Sequence, residues 1–225
     1  MCVGPISLCY AQGVQVSGNV VLEPASNSSR DATVVWLSPS DASAGSGKLT
    51  PMHAVLTQKN KSFEPHLLVI TRGSTVDFPN RDPWFHNVFS LFNGKRFDLG
   101  LYEAGTSRTV HFDKEGVSFI FCNIHPQMSA VVVVLGTPYF AVTNKRGEFF
   151  IPAVPPGRYS LHTWNENAQA ATLQASTHEV QIGELPKSVG SIHVHVTQTA
   201  SVPHKNKYGQ DYEPPSPNNP VYVQP

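Results

Sequence analysis

Four residues of this 225-residue chain have the types and the spacing of a metal site. Segment 122–128 reads CNIHPQM, so it places a thiol, an imidazole and a thioether at intervals of three residues. A second imidazole, His86, lies upstream in the segment WFHNV at 84–88. The chain has only three methionines and three cysteines, so few other residues could supply the sulfur ligands. This pattern predicts a metal centre that is built from one loop and one neighbouring strand.

The donor set indicates which metal this would be. A soft thiolate, two imidazoles and a weak thioether suit copper that cycles between Cu(I) and Cu(II). Zinc is the rival, but a thioether is a poor zinc ligand, and zinc sites prefer full thiolate or imidazole sets. The expected cofactor is therefore one type 1 copper ion per chain, with a trigonal plane and a long axial bond. Its predicted ligands are His86, Cys122 and His125 in the plane and Met128 on the axis.

With these motifs, residues 63–135 resemble a cupredoxin, the blue-copper fold of plastocyanin and amicyanin. The two residues between His125 and Met128 match the short amicyanin-type loop, and His-Asn-Val at 86–88 resembles the first-ligand motif of the family. The resemblance implies that Asn87 ties the two ligand loops together by hydrogen bonding and that Asn123 lies beside the ligands. It also implies that His125 is the solvent-facing edge through which electrons enter.

Each ligand also has an ordinary structural interpretation. A free cysteine is commonly an inert buried thiol, a single histidine is more often a satisfied polar residue, and a single methionine usually fills the core. If these structural roles were the whole explanation, the cysteine, the histidine and the methionine would have to occur together on one loop, downstream of His-Asn-Val, by coincidence. The joint pattern therefore favours a metal site over separate structural roles.

Alternating apolar and polar residues predict the elements that must position these ligands. A strand is expected at 117–122, immediately before the loop, and another at 130–135, immediately after it. Asp98 and Glu103, in the segment FDLGLYEAG at 97–105, are expected to be turn or solvent residues. These elements belong to a predicted copper-binding domain at 50–136 with a Greek-key β-sandwich fold.

A second β-sandwich is predicted around this domain. Val16-x-Gly18-x-Val20 resembles the opening of prealbumin-type, carboxypeptidase regulatory-like modules, and TNKRGEF with PPGRYSL at 143–161 resembles their closing half. Gly147 would serve a hairpin turn, and Tyr159 would point inward. Residues 12–37 and 138–197 are therefore expected to form one discontinuous domain. The alternative is two consecutive domains with an extra N-terminal hairpin. The wider chain is similar to bacterial methylamine-utilisation-like cupredoxin proteins.

The two ends of the chain bear on its location. Residues 1–11 are expected to be the remnant of a signal peptide, although a frayed strand is the alternative. If they are removed, Cys122 is the one remaining cysteine. This favours a periplasmic or otherwise exported protein. No run of 18 apolar residues occurs, so no membrane span is expected. Residues 198–225 are rich in proline and asparagine and are expected to be disordered or draped over the protein.

Composition excludes some partners and favours an all-β fold. Lys+Arg and Asp+Glu each number 16, so the formal net charge is 16 − 16 = 0. Nucleic acid is therefore not an expected partner, because binding to phosphates needs a clustered basic excess. Charged residues make up 14% of the chain, whereas Pro and Gly number 19 and 16. This balance favours an all-β protein with many turns.

The predicted site indicates a function. Four protein ligands leave no open position for a substrate, whereas catalytic metal sites keep one. The chain is therefore interpreted as a carrier of single electrons between transient protein redox partners, and no enzymatic activity is expected. One alternative is a copper-containing binding module of the cell envelope. Another is a fragment of a nitrite reductase or a multicopper oxidase, which would need a His-x-His pair. His193 and His195 form such a pair, and they are interpreted as a solvated sheet face, with an accessory metal site as the alternative.

Overall fold

The computed structural model describes residues 13–25, 32–41, 47–91, 94–197 and 204–212. The chain divides into two compact units. The first comprises Met1–Gly47 and Tyr139–Gln198, and the second comprises Lys48–Pro138 and Thr199–Pro225. Both are built from β-strands, so the protein is all-β, as predicted. The expected signal-peptide remnant at 1–11 lies outside the described residues.

Seventeen strands and one short helix are present in the described ranges. In chain order they are β1 (Val14–Glu23), β2 (Val34–Pro39), β3 (His53–Val55), β4 (Thr57–Lys59), β5 (Ser62–Glu64), β6 (Leu67–Thr71), β7 (Ser74–Pro79), β8 (His86–Ser90), β9 (Phe97–Tyr102), β10 (Ser107–Phe112), β11 (Gly116–Phe121), β12 (Ser129–Leu135), β13 (Phe140–Val142), β14 (Glu148–Val154), β15 (Gly157–Trp164), α1 (Ala170–Ala175), β16 (His178–Ile182) and β17 (Lys187–His195). The helix has six residues, and none of the described helical residues form a segment long and apolar enough to cross a membrane.

The second unit contains the predicted ligands. Its five-stranded sheet has the order β6-β12-β11-β8-β9, and its three-stranded sheet has the order β10-β7-β3. In β7, alternation buries Val76 and Phe78, while the valine run of β12 is buried throughout, as expected for a central strand. Side chains from both sheets form one apolar core. Because β11 and β8 are antiparallel neighbours and Phe121 lies opposite Phe89, the residues that follow β11 lie near the start of β8.

The first unit is formed by two segments, one before and one after Lys48–Pro138 in the sequence. Strand β1 pairs with β14 and β17 in a three-stranded sheet, and the four-stranded sheet has the order β13-β2-β15-β16. Side chains from both sheets share one core, in which Tyr159 is fully buried, as predicted. Gly147 has a φ of 81° in the turn before β14, and a Cβ there would lie 2.1 Å from the Val20 carbonyl oxygen. Only glycine fits this turn without strain.

The structure adds two features to the predictions about the second unit. Residues 97–102, for which no strand was predicted, form β9, which pairs antiparallel with β8, and Asp98 in that strand is exposed, as expected. Residues 204–212 lie in the tail that was expected to be disordered or draped over the protein, and they hydrogen-bond to the loop at 122–128. Local composition missed this contact because it depends on a partner about 80 residues away in sequence. The rest of that tail, 198–203 and 213–225, lies outside the described residues.

Candidate metal centre

The sheet brings two of the predicted ligands together from distant parts of the chain. His86 is the first residue of β8, and Cys122 directly follows β11. His125 and Met128 lie in the turn that leads into β12. The Met128 N–H donates to the His125 carbonyl over 3.0 Å, and the Cys122 N–H donates to the Met128 carbonyl over 3.4 Å. The turn therefore folds back on itself and returns the chain to the end of β11.

Three of the four predicted ligands converge. The Nδ1 atoms of His86 and His125 are 3.0 Å apart. The Cys122 Sγ lies 3.8 Å from His86 Nδ1 and 3.6 Å from His125 Nδ1. All three side chains are buried, with 0% exposure for His86 and Cys122 and 5% for His125. Two ring nitrogens so close need a proton or a cation between them, because two lone pairs would repel each other.

Burial keeps both imidazoles in the neutral form that binds a metal. Loss of solvent lowers the pKa of His86, and the neighbouring Asp82 carboxylate partly opposes this effect. Loss of solvent also lowers the pKa of His125 to about 4, with a further contribution from the nearby His86. Both rings therefore carry no positive charge at pH 7, which is the charge state that binds a metal ion.

The thiol is held in its neutral form until a cation is present. Burial raises the pKa of Cys122, although the backbone N–H groups of Asn87, Ile124 and His125 act in the opposite direction. A buried thiolate without a neighbouring positive charge would be costly. A metal ion would provide that charge and displace the thiol proton. The donor set, one soft sulfur with two neutral imidazoles, fits copper.

A carboxylate that sequence reasoning missed lies behind His86. His86 Nε2 donates to Asp82 Oδ2 over 2.8 Å, and Asp82 is only 4% exposed. The backbone N–H groups of Asn60 and Lys61 donate to the same carboxylate over 2.6 and 2.8 Å. Burial would raise the pKa of Asp82, but these N–H groups and His86 lower it overall. The carboxylate therefore fixes the tautomer that leaves His86 Nδ1 free to bind a metal. The sequence held no signal for Asp82, because a spacing of four residues brings side chains together on a helix and 82–85 is irregular.

The remaining predicted site residues have different positions. The Asn87 side-chain amide donates to Asp98 Oδ1 over 2.7 Å and so ties β8 to β9, whereas the Asn87 backbone N–H faces the Cys122 sulfur. The Asn123 side chain accepts the Lys207 N–H over 2.9 Å. Met128 is fully buried in the same apolar cluster as Cys122, at the end of the ligand turn.

The exposure of His125 also differs from what the resemblance implies. A solvent-facing ring edge was expected, but only 5% of this residue is accessible. Two groups from the tail contact the same turn: His204 bonds to the Pro126 carbonyl, and Tyr212 bonds to the Cys122 carbonyl. Nothing in the sequence around His204 connects it to the ligands of that turn, which lie about 80 residues earlier in the chain.

His193 and His195 do not form a comparable site. His193 Nδ1 lies 2.7 Å from Glu23 Oε1, and His195 Nδ1 lies 3.4 Å from Glu23 Oε2, and both rings are exposed. In the described part of the chain, the one group of three potential ligand atoms within 4.8 Å of one another is that of His86, Cys122 and His125. The two histidines of β17 are therefore solvated residues that share a carboxylate.

Comparisons with known proteins found similarity at the level of structure. No family model matches the chain, and no curated protein matches it. A Cu-containing nitrite reductase from Thermus scotoductus SA-01 is 26% identical, with a TM-score of 0.36 over 39% of this chain and 23% of that one. A purple cupredoxin from Nitrosopumilus maritimus is 26% identical, with a TM-score of 0.33 over 36% of this chain and 99% of that one. A reduced Cu(I) form of an amicyanin variant is 20% identical, with a TM-score of 0.35 over 45% and 98% of the two chains. The chain thus spans less than a quarter of the nitrite reductase.

Proposed function

We propose that this protein is a type 1 copper protein that transfers single electrons between exported redox partners. The observation that carries the proposal is the buried convergence of two imidazole Nδ1 atoms and one thiol at 3.0 to 3.8 Å. The residues that would hold the ion are His86, Cys122, His125 and Met128. When bound, copper would supply one-electron chemistry between Cu(I) and Cu(II).

The surrounding residues have defined tasks in this proposal. Cys122 loses its proton on metal binding, and the N–H groups that face its sulfur stabilise the thiolate. Asp82 holds His86 in one tautomer and one orientation. His86 lies in β8 and Cys122 directly follows β11, both strands of the five-stranded sheet, so these two ligands are held by a rigid scaffold in either oxidation state. Rigid ligands keep the change in coordination geometry between the two oxidation states small, which favours outer-sphere electron transfer.

The type of partner follows from this chemistry. Four protein ligands would leave no position for a substrate, so we infer a carrier and not an enzyme. Electron-transfer partners meet through small and transient interfaces. With a formal net charge of zero, docking should depend weakly on ionic strength. A periplasmic or otherwise exported location is part of the same proposal.

A second candidate function is a copper-containing binding module of the cell envelope that does not turn over electrons. The low exposure of His125 favours it, because a buried ring edge gives an external partner little access to the site. The two candidates agree on the ligands and differ in whether the bound ion exchanges electrons with other proteins.

One experiment tests both candidates. The purified protein is loaded with one equivalent of Cu(II), and its visible absorption, electron spin resonance and reduction potential are measured. An intense thiolate-to-copper band with reversible reduction and rapid oxidation by a small protein acceptor supports the carrier. The same band with negligible exchange supports the binding module. Absence of the band in the loaded protein contradicts type 1 copper ligation altogether.

A further inference from the structure

Residues 204–212 form a closed turn whose two ends meet. The Asn206 N–H donates to the Gln210 carbonyl, and the Gly209 N–H donates to the Asn206 carbonyl, each over 2.9 Å. The rings of His204 and Tyr212 contact each other edge to face at 5.2 Å, and the Tyr212 hydroxyl lies 3.1 Å from His204 Nδ1. This tail turn therefore presents an imidazole and a phenol side by side.

Both side chains of this pair bond to the ligand turn. His204 Nε2 donates to the Pro126 carbonyl over 2.8 Å, and the Tyr212 hydroxyl donates to the Cys122 carbonyl over 2.7 Å. The two carbonyls lie on either side of His125 in the sequence. The tail turn thus holds the backbone of the predicted thiolate ligand and that of the residue after the second imidazole.

Other contacts hold the tail turn in place. The His204 ring stacks on Phe121, the last residue of β11, with centroids 3.9 Å apart and planes 24° apart. The Lys207 N–H donates to the Asn123 side chain over 2.9 Å, and Lys207 Nζ pairs with Asp98 at 2.8 Å. Since Asp98 also accepts from Asn87, the tail turn joins the ligand turn to the strand pair that carries His86.

We propose that the tail turn 204–212 is part of the metal centre, with His204 and Tyr212 as positioning residues for the ligand turn. Two backbone hydrogen bonds close the ligand turn, and the tail turn adds two side-chain hydrogen bonds to the same stretch of backbone. A bond to the Cys122 carbonyl fixes the peptide plane next to the ligand and so restricts where its sulfur can point. Groups outside the ligands orient metal sites in this way.

The effect on bound copper rests on the proposed function, whereas the effect on the thiol does not. The test therefore has two arms, both on the full chain, with Tyr212→Phe and His204→Phe as the variants. Phenylalanine keeps a ring at each position and removes its hydrogen bonds. Tyr208→Phe is the matched control, because Tyr208 lies in the same turn, is 70% exposed and does not bond to the ligand turn through its side chain.

The first arm uses metal-free protein. Alkylation of Cys122 by iodoacetamide is followed by mass spectrometry of the peptide that contains it. Tyr212→Phe and His204→Phe should each be alkylated about tenfold faster, the change expected when one buried hydrogen bond no longer opposes local opening. Tyr208→Phe should react at the wild-type rate. Unchanged rates in both variants, or rates that rise only in proportion to global unfolding measured in urea, would overturn the proposal.

The second arm uses copper-loaded protein and reads the site directly. Tyr212→Phe and His204→Phe should shift the reduction potential and the copper hyperfine splitting, while Tyr208→Phe leaves both at wild-type values. Wild-type values in both variants would overturn the positioning role. Should the wild-type protein bind no copper, the proposed function fails, and the alkylation arm still decides whether the tail turn holds the ligand turn.

Discussion

The molecule contains two pairs of histidines that resemble each other in residue type and differ in their surroundings. His86 and His125 are buried in the second unit, 3.0 Å apart, beside a thiol. His193 and His195 alternate on β17 in the first unit, are exposed, and share the Glu23 carboxylate. Each pair has an acidic partner, since Asp82 bonds to His86. A carboxylate beside histidines is therefore not enough to make a metal centre.

Burial and a soft donor are what distinguish the first pair. Loss of solvent lowers the pKa values of His86 and His125, and it keeps the Cys122 thiol protonated until a cation arrives. An exposed histidine that bonds to a carboxylate contributes little free energy to stability, because solvent screens such a pair. The same residue types thus give a candidate copper site in one unit and an ordinary polar surface in the other.

The largest expected effect comes from removing the sulfur. In Cys122→Ser, the intense visible absorption of the copper-loaded protein should be lost completely, because a hydroxyl does not form the thiolate–copper bond that produces it. The measurement is an absorption spectrum at one equivalent of Cu(II). Intense visible absorption that persists in this variant would refute the ligand assignment, and with it the distinction between the two histidine pairs.

A matched pair of neutralised carboxylates tests whether position in the fold matters. Asp82→Asn should weaken copper binding about 10–100-fold, the usual cost of losing a group that orients a ligand. Glu23→Gln removes the corresponding charge beside the exposed histidines and should leave the affinity unchanged. Competition titrations with a chelator measure both. Equal effects from the two substitutions would erase the contrast between buried and exposed carboxylates.

Replacement of the predicted axial ligand should act on the potential more than on binding. Met128→Gln keeps a side chain of similar length but replaces the thioether sulfur with a harder amide oxygen. The reduction potential should therefore fall while copper is retained. A shift on the order of 60 mV is expected, since tenfold weaker relative binding of Cu(I) corresponds to about 59 mV for one electron. Voltammetry provides the measurement, and Met52→Gln, at an exposed methionine, is the control. An unchanged potential would exclude Met128 from the ligand set.

A fall in pH should destabilise the metal-free protein, because the buried His125 binds a proton less readily in the folded chain than in the unfolded chain. The pKa of His125 is about 4 in the folded chain, against an ordinary value of 6.5, so the unfolded chain binds more protons between these values. The contribution of His125 is therefore fully present above about pH 6.5 and is lost as the pH falls towards 4. Urea unfolding from pH 4 to 7.5 measures it. The dependence should weaken in His125→Gln and persist in His193→Ala; equal slopes in both variants would contradict the assignment.

The smallest expected effect is at the exposed pair. His193→Ala should leave the absorption spectrum, the copper stoichiometry and the potential as they are in the wild-type protein, because this ring is in solvent and bonds only to Glu23 among the described residues. A stoichiometry that drops by one equivalent would reveal an accessory site on β17 and make the two pairs functionally alike.

Some of these features could be read from the pattern of residues and some could not. The strands predicted at 117–122 and 130–135 lie close to the observed bounds of β11 and β12, because side-chain period and burial are local properties. The same reasoning misjudged 97–102, where the short strand β9 contains a glycine and an aspartate and depends on its pairing with β8. Edge strands of this kind are specified by their neighbours more than by their own composition.

The candidate centre divides in the same way. Donor chemistry and spacing were sufficient to select Cys122 and His125, since the two lie three positions apart on one turn, and Met128 on the same turn stays a predicted ligand. Chain folding had to decide which other groups reach that turn. Asp82 hydrogen-bonds to His86. His204 and Tyr212 bond to the ligand turn from a segment about 80 residues further along the chain. A hydrogen bond depends on a distance of about 3 Å in space and not on the separation of its partners in the sequence. These contacts were therefore visible only in the folded molecule.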